Sequence, residues 1–281
     1  MRIAFWSPNR RMGTTASMLA ISAAAAWKMG KSCLLIQMYS HQQDLEKIFT
    51  KGMTEEEREN VIREMGTDSL VRQFKTGMLQ GEDVFNCSME VVKNMSFLPA
   101  SGNALKMMIG ENARSNIIRK IISAAEEKFE LVFIDTGNGR EKEDLDILKY
   151  SDAVAAVCEQ GRRSFIDIVG KAENMGIRDD KMFYIFTKYL AGSKYNINNL
   201  RHFADNVGND SIGAIPLSYL YFDSIEDQKP MAFLQDFGKE PDVAAEPQFR
   251  REVIKCTKKL IDKAKKNERK RNMHSANGDA R

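Results

Sequence analysis

The chain has 281 residues, 43% of them hydrophobic, and a formal net charge of +3, which suits one large α/β domain or two small ones. No apolar run approaches the roughly 18 residues that a membrane-crossing helix needs. The start lacks a signal-peptide pattern, since Pro8, Arg10 and Arg11 follow only a short apolar run, so the expected location is cytoplasmic. Cys33, Cys87, Cys158 and Cys256 show no metal-type spacing and read as reduced, buried thiols. The charge is uneven. Residues 250–281 hold twelve Lys/Arg against four Asp/Glu, a surplus of eight, which leaves the rest of the chain net negative by about five.

Taken in chain order, short apolar runs alternate with helical patterns. Strands are predicted at 3–6, 33–36, 95–98, 131–134, 153–157, 182–186 and 212–215, each nearly continuous in apolar residues, as parallel strands covered on both faces should be. Helices are predicted at 16–29, 53–65, 68–79, 114–128, 166–175 and 198–207. This alternation predicts an α/β fold, a doubly wound and mostly parallel sheet flanked by helices. Ligands of such sheets bind at the carboxyl ends of the strands.

The predicted organisation is one domain over 1–240, with a helical elaboration at about 42–93. A linker and C-terminal helix follow at 241–266, and a polar basic tail, expected to be disordered, at 267–281. Val253, Ile254, Leu260, Ile261 and Ala264 mark one apolar face of that helix, with lysines around it. Three roles stay open for the basic end: a helix packed on the domain with solvated lysines, a contact to nucleic-acid phosphates, or a seat on an anionic membrane. His41, His202 and His274 are isolated from one another, and no His/Asp arrangement supports Ser7 or Ser164 as a nucleophile.

Two segments carry chemistry. The first is Ser7-Pro8-Asn9-Arg10-Arg11-Met12-Gly13-Thr14-Thr15, between the first strand and the first helix. Strand, turn and helix in this order aim backbone N–H groups and the positive end of a helix dipole at one point, which favours a phosphate. A standard phosphate loop has Lys and then Ser/Thr after its last glycine. Here Gly13 is followed by Thr14, which lacks the ammonium, and Thr15, which can offer a hydroxyl to Mg²⁺. Arg10 and Arg11 can replace part of the charge, with a different geometry. The second segment is Leu131–Ile134 followed by Asp135-Thr136-Gly137-Asn138-Gly139. An Asp at a strand end can hold Mg²⁺ or its water, and the turn after it can present an N–H to a terminal phosphate.

These segments resemble the ParA/MinD superfamily of deviant-Walker P-loop ATPases over about the first 240 residues. Gly13 and Thr15 match the family's loop; Ile134-Asp135-Thr136 with Gly139 is similar to its Asp-Thr-Pro-Pro-Gly switch; Phe97-Leu98-Pro99-Ala100-Ser101 is similar to a Leu-Pro-Ala-Ser strand end; and Gly213-Ala214-Ile215-Pro216 is similar to the Gly-x-Ile-Pro beside the nucleotide base. Lys188 falls where a strand end frames that base. The departures are specific. Asn9 stands at the family's signature lysine, Thr14 at the loop lysine, and Gln37-Met38-Tyr39 where an Asp-x-Asp positions the attacking water. A loop worn in this way resembles that of the TadZ/CpaE branch, which works in placing pilus machinery.

The resemblance implies ATP and Mg²⁺ as cofactors. Asn9, Arg10, Arg11, Met12, Gly13, Thr14, Thr15, Ala16, Gly137, Gly139, Lys188 and Pro216 would contact the nucleotide, and Thr15 and Asp135 the metal. It implies a homodimer and a protein partner, and the role of an ATP-dependent spatial organiser or assembly switch. Lost lysines remove transition-state stabilisation, and the lost carboxylate weakens orientation of the water, so binding should outlast hydrolysis. The alternatives are a non-enzymatic scaffold and a DNA-partitioning protein that binds through its basic end.

Overall fold

The computed structural model describes residues 1–37, 44–99, 111–136, 138, 141–204, 206–239 and 246–278. Its elements in chain order are β1 (Arg2–Trp6), α1 (Thr14–Ala23), β2 (Cys33–Gln37), α2 (Asp44–Phe49), α3 (Glu55–Glu64), α4 (Thr67–Thr76), α5 (Gly81–Asn86), β3 (Met89–Val92), β4 (Met95–Leu98), α6 (Glu111–Ala125), β5 (Leu131–Asp135), α7 (Lys142–Tyr150), β6 (Ala153–Glu159), α8 (Arg162–Asn174), β7 (Met182–Tyr189), α9 (Ile197–Leu200), β8 (Ile212–Pro216), α10 (Tyr219–Glu226), α11 (Pro230–Leu234) and α12 (Pro247–Gly278). The strands form one sheet in the order β3-β4-β2-β5-β1-β6-β7-β8. Every pairing is parallel except β3 with β4. All seven predicted strands are present. The additional one, β3, is a half-exposed antiparallel edge.

Alternation along the strands divides the core in two. Ala4, Trp6, Leu34, Ile36, Val132 and Ile134 face the layer of α4 to α8. Ile3, Phe5, Leu35, Phe133, Ala155 and Phe183 face α1 and α12. Because β1 is covered on both sides, it has no polar position until Ser7 beyond its basic first residue. Helix α1 is mostly apolar and buried without a break from Ser17 to Ala23, as suits a helix wedged between sheet and helix. It continues into a π-helical turn, Ala24–Lys28.

The C-terminal prediction needs correction. The helix does not stop at residue 266 before a disordered tail; α12 runs unbroken from Pro247 to Gly278. Val253, Cys256, Leu260, Ile261 and Ala264 are buried against the sheet. Farther along, the side-chain amide of Asn267 donates to the carbonyls of Asp152 (3.0 Å) and Asp180 (2.9 Å). Lys270 pairs with Asp180 at 2.8 Å, and Arg271 reaches Glu126 at 3.0 Å and Asp152 at 3.5 Å. Arg2 joins the same cluster, 2.6 Å from Glu126. Burial raises the Glu126 carboxyl, but the Arg271 hydrogen bond and the Arg2 charge outweigh it and hold the group below its ordinary value.

Arg271→Ala should therefore lower stability by about 2 kcal/mol, since it strips a partner from two largely buried carboxylates, and should lower Tm by roughly 5 °C. Glu126 has a depressed folded-state pKa, so its contribution is present above the unfolded value and fades as pH falls through the folded one. The gap between wild type and Arg271→Ala should accordingly close in acid below about pH 4. Calorimetry at neutral and acid pH checks both points.

Candidate functional site

β1 delivers the chain to the carboxyl edge of the sheet, where it turns into α1. Gly13 precedes the helix with a left-handed backbone, φ 82° and ψ 26°, and no side chain caps the helix. A Cβ is strained in that conformation, so glycine is the residue that allows the turn. The first intrahelical bond runs from the Ser17 amide to the Gly13 carbonyl at 2.8 Å. The amides of Thr14, Thr15 and Ala16 have no acceptor inside the helix. Asn9, Arg10 and Arg11 are exposed, whereas Met12 to Ala16 are half-buried. Arg11 is also left-handed, with φ 62°.

The strand order brings the second segment to this turn. β1 and β5 are neighbours, with Phe5 opposite Asp135. The Thr15 hydroxyl donates to Oδ2 of Asp135 at 2.8 Å, so the two metal candidates meet. The turn after β5 is fastened to the end of β1. The Thr136 amide and hydroxyl donate to the Phe5 carbonyl at 3.1 and 2.9 Å, and the Trp6 indole N–H donates to the Asn138 carbonyl at 3.2 Å. Gly137 and Gly139, the terminal-phosphate candidates, lie outside the described residues, as do Ala100 and Ser101.

Gln37, the last residue of β2, is buried and registers directly with Asp135. It places an amide where the resemblance has the first carboxylate of the water-positioning pair; Met38 and Tyr39 lie outside the described residues. From the other side, β7 reaches the loop through Thr187, whose hydroxyl donates to the Met12 carbonyl at 2.9 Å. Lys188 and Pro216 lie farther along the same edge. The Lys188 ammonium is 3.0 Å from Glu159 at the end of β6, and Pro216 closes β8 opposite Tyr189. The Tyr221 hydroxyl donates to the Ala16 carbonyl at 2.6 Å, which ties α10 to the first turn of α1.

Trp6, Thr187 and Tyr221 are not among the site residues expected from the sequence. The strand-end triplet Phe186-Thr187-Lys188 holds a signal for Thr187, but there the charged lysine is the more conspicuous residue. Tyr221 carries none, since it meets α1 across 205 residues.

The donor set fits a magnesium–nucleotide. A hydroxyl and a carboxylate converge beside helix-start amides, the donor types that hold Mg²⁺ and phosphate oxygens. Two buried hydroxyls flank the loop without a hydrogen-bond partner among the described residues, Ser7 at its start and Ser17 one turn into α1, each 1% exposed. A buried hydroxyl left unpaired costs about 1–3 kcal/mol, and such groups cluster where an outside partner completes them. Thr14, rather than a lysine, follows Gly13.

The sequence matches no protein-family model and no curated protein sequence. Solved structures do match in shape. A ParA family ATPase from Chlorobium tepidum TLS superimposes with a TM-score of 0.65 at 11% identity, covering 91% of this chain and 98% of that one. The fold is that of the ParA and MinD ATPases. The MinC:MinD cell division complex of Aquifex aeolicus gives a TM-score of 0.64 at 17% identity, over 93% and 96% of the two chains. The septum site-determining protein MinD of Pyrococcus horikoshii OT3, complexed with Mg-ADP, gives 0.63 at 14%, over 92% and 95%. The chain thus has the ParA/MinD fold over nearly its full length. No helix among the described residues is long and apolar enough to cross a membrane.

Proposed function

We propose that this chain is a ParA/MinD-like nucleotide-binding protein that uses ATP as an assembly signal and hydrolyses it slowly or not at all. The observation that carries this reading is the meeting of Thr15 and Asp135 at 2.8 Å beside the left-handed Gly13 turn. Mg²⁺ held there would screen charge on the terminal phosphates. Thr15 would ligate it, Asp135 would hold it directly or through water, and the amides of Met12 to Ala16 would cradle the phosphates. Arg10 and Arg11 stand on the open side of the loop. With Thr14 in place of a lysine and no carboxylate in Gln37-Met38-Tyr39, charge stabilisation and water orientation are both reduced, and these are nearly all that phosphoryl-transfer catalysts supply. A homodimer formed on ATP binding and engaging a protein partner extends the likeness to ParA and MinD proteins, and the loop with Asn9 and Thr14 at the lysine places extends it toward the TadZ/CpaE branch.

Calorimetric titration with Mg-ATP should give a Kd of roughly 10 μM to 1 mM. Phosphate release should stay far below about 1 s⁻¹. A melting temperature unmoved by millimolar Mg-ATP supports the scaffold alternative instead, because a ligand of the folded state must stabilise it.

DNA binding has one specific observation in its favour. Arg251, Lys255, Lys258, Lys265, Lys266 and Arg269 recur at helical spacing along the outer side of α12, most of them exposed, so the surplus charge forms a rigid ridge rather than a loose tail. A membrane seat is disfavoured, because the apolar face of α12 is already buried against the sheet. Deleting the helix would unmake the core, so charge reversal is the proper test. Lys255→Glu with Lys258→Glu and Lys265→Glu should weaken duplex-DNA binding and flatten its salt dependence, by an amount set by the number of phosphates no longer neutralised. Binding that keeps its slope removes the ridge from the reading.

A further inference from the structure

We propose that Lys188 supplies the phosphates of a bound nucleotide with the ammonium that the loop lost at Thr14, and that Glu159 is its resting counter-ion. The inference rests on the nucleotide reading above and assigns the replacement cation to another strand. Three observations converge on it.

The first is backbone geometry. The β7–β8 register shifts between Phe186 and Tyr189, and Lys188 stands in that irregularity with a left-handed φ of 51°. This conformation is strained for an L-residue, and glycine or asparagine would take it more easily. Strain of this kind is concentrated at functional positions.

The second is position. Thr187, the residue just before, touches the loop twice. Its hydroxyl bonds the Met12 carbonyl at 2.9 Å, and its methyl group would lie 3.5 Å from a Cβ placed on Gly13. Met12 and Gly13 are the two residues that lead into Thr14. A lysine one residue beyond that contact has a flexible four-carbon stem with which to reach the cradle.

The third is the state of the ammonium. Lys188 is held 3.0 Å from Oε1 of Glu159, with the two side chains 56% and 48% exposed. An exposed pair of this kind contributes little, so a multiply charged phosphate can displace the carboxylate. β6 and β7 are adjacent, with Glu159 opposite Thr187, so Lys188 and its counter-ion stand on neighbouring strand ends beside the loop. Arg10 and Arg11 belong to the loop itself, whereas Lys188 approaches it from the end of β7.

The test is calorimetric titration of Mg-ATP, Mg-ADP and AMP into wild type, Lys188→Met, Lys188→Arg and Glu159→Gln, with melting temperatures as a fold control. Lys188→Met should weaken ATP about ten- to thirtyfold and AMP less than about threefold, consistent with a charge-assisted contact to the outer phosphates. Lys188→Arg should keep most of the affinity. Glu159→Gln should tighten ATP by about two- to fivefold, by removing the competing anion. An equal loss for AMP and ATP would place Lys188 on the base and overturn the proposal, as would ATP binding that ignores Lys188. Wild-type protein that binds none of the three would overturn the nucleotide reading itself, and this inference with it.

Discussion

Asp135→Asn should cost ATP about 30- to 100-fold in affinity when Mg²⁺ is present and almost nothing when it is chelated. The amide is the same size and can still accept the Thr15 hydroxyl bond of 2.8 Å, so local packing is kept. What disappears is one negative charge, and a hard cation bound through oxygen ligands depends on such charge. A loss of this size corresponds to about 2–3 kcal/mol. In chelator the sign should reverse or vanish, because a carboxylate beside a triphosphate repels it and the amide does not. The measurement is a pair of titrations of the same variant, with magnesium and with chelator. An equal loss in both would make Asp135 a structural capping residue, and the metal assignment of Thr15 and Asp135 would go with it.

Gly213→Ala should lower stability by about 2–3 kcal/mol while leaving nucleotide affinity within twofold. By resemblance, Gly213-Ala214-Ile215-Pro216 frames the nucleotide base. In the fold, Gly213 lies in β8 under α12, where an added Cβ would collide with the Cys256 sulfur and come 3.0 Å from the Phe183 ring. The glycine permits the long helix to lie close on the sheet, in a core where neighbours cannot move aside cheaply. Cys256 is fully buried, with its thiol pushed up to about 12 by that burial, so it acts there as a small apolar group. Removing its sulfur should restore space. The double variant Gly213→Ala with Cys256→Ala should be less destabilised than the sum of its parts by more than about 0.5 kcal/mol, the signature of residues in contact. Chemical unfolding of the four proteins checks this. A Gly213→Ala protein that melts with wild type, or that loses nucleotide without losing stability, would return the glycine to the site.

The elements that sequence pattern does not reveal share a feature. β3, with Glu90 exposed and its neighbours half-buried, has four residues and one sheet neighbour, too short for alternation to register. α7 and α10 are absent from the predicted helices because each is brief and mixes charge or aromatic residues with its apolar side. The last turns of α12 are polar in every local window. They are ordered against the body by Asn267 and Arg271, whose partners lie up to 145 residues away. Local pattern cannot report contacts of that range.

The parallel α/β sheet is legible in the residue pattern alone, because strands buried on both faces must be written almost wholly in apolar residues. The sequence also marks the glycine turn and strand-end acid, because a left-handed backbone and a carboxylate at a strand end each restrict the residues that can serve. It puts Asn9 and Thr14 at the two places where the resemblance has lysines. It took the folded chain to show that Thr15 meets Asp135, that Gln37 lies beside that acid, that Thr187 holds the loop, and that the basic end is a ridge on a packed helix. Those four facts depend on strand order and register, which join residues far apart in the chain and which no local stretch of it encodes.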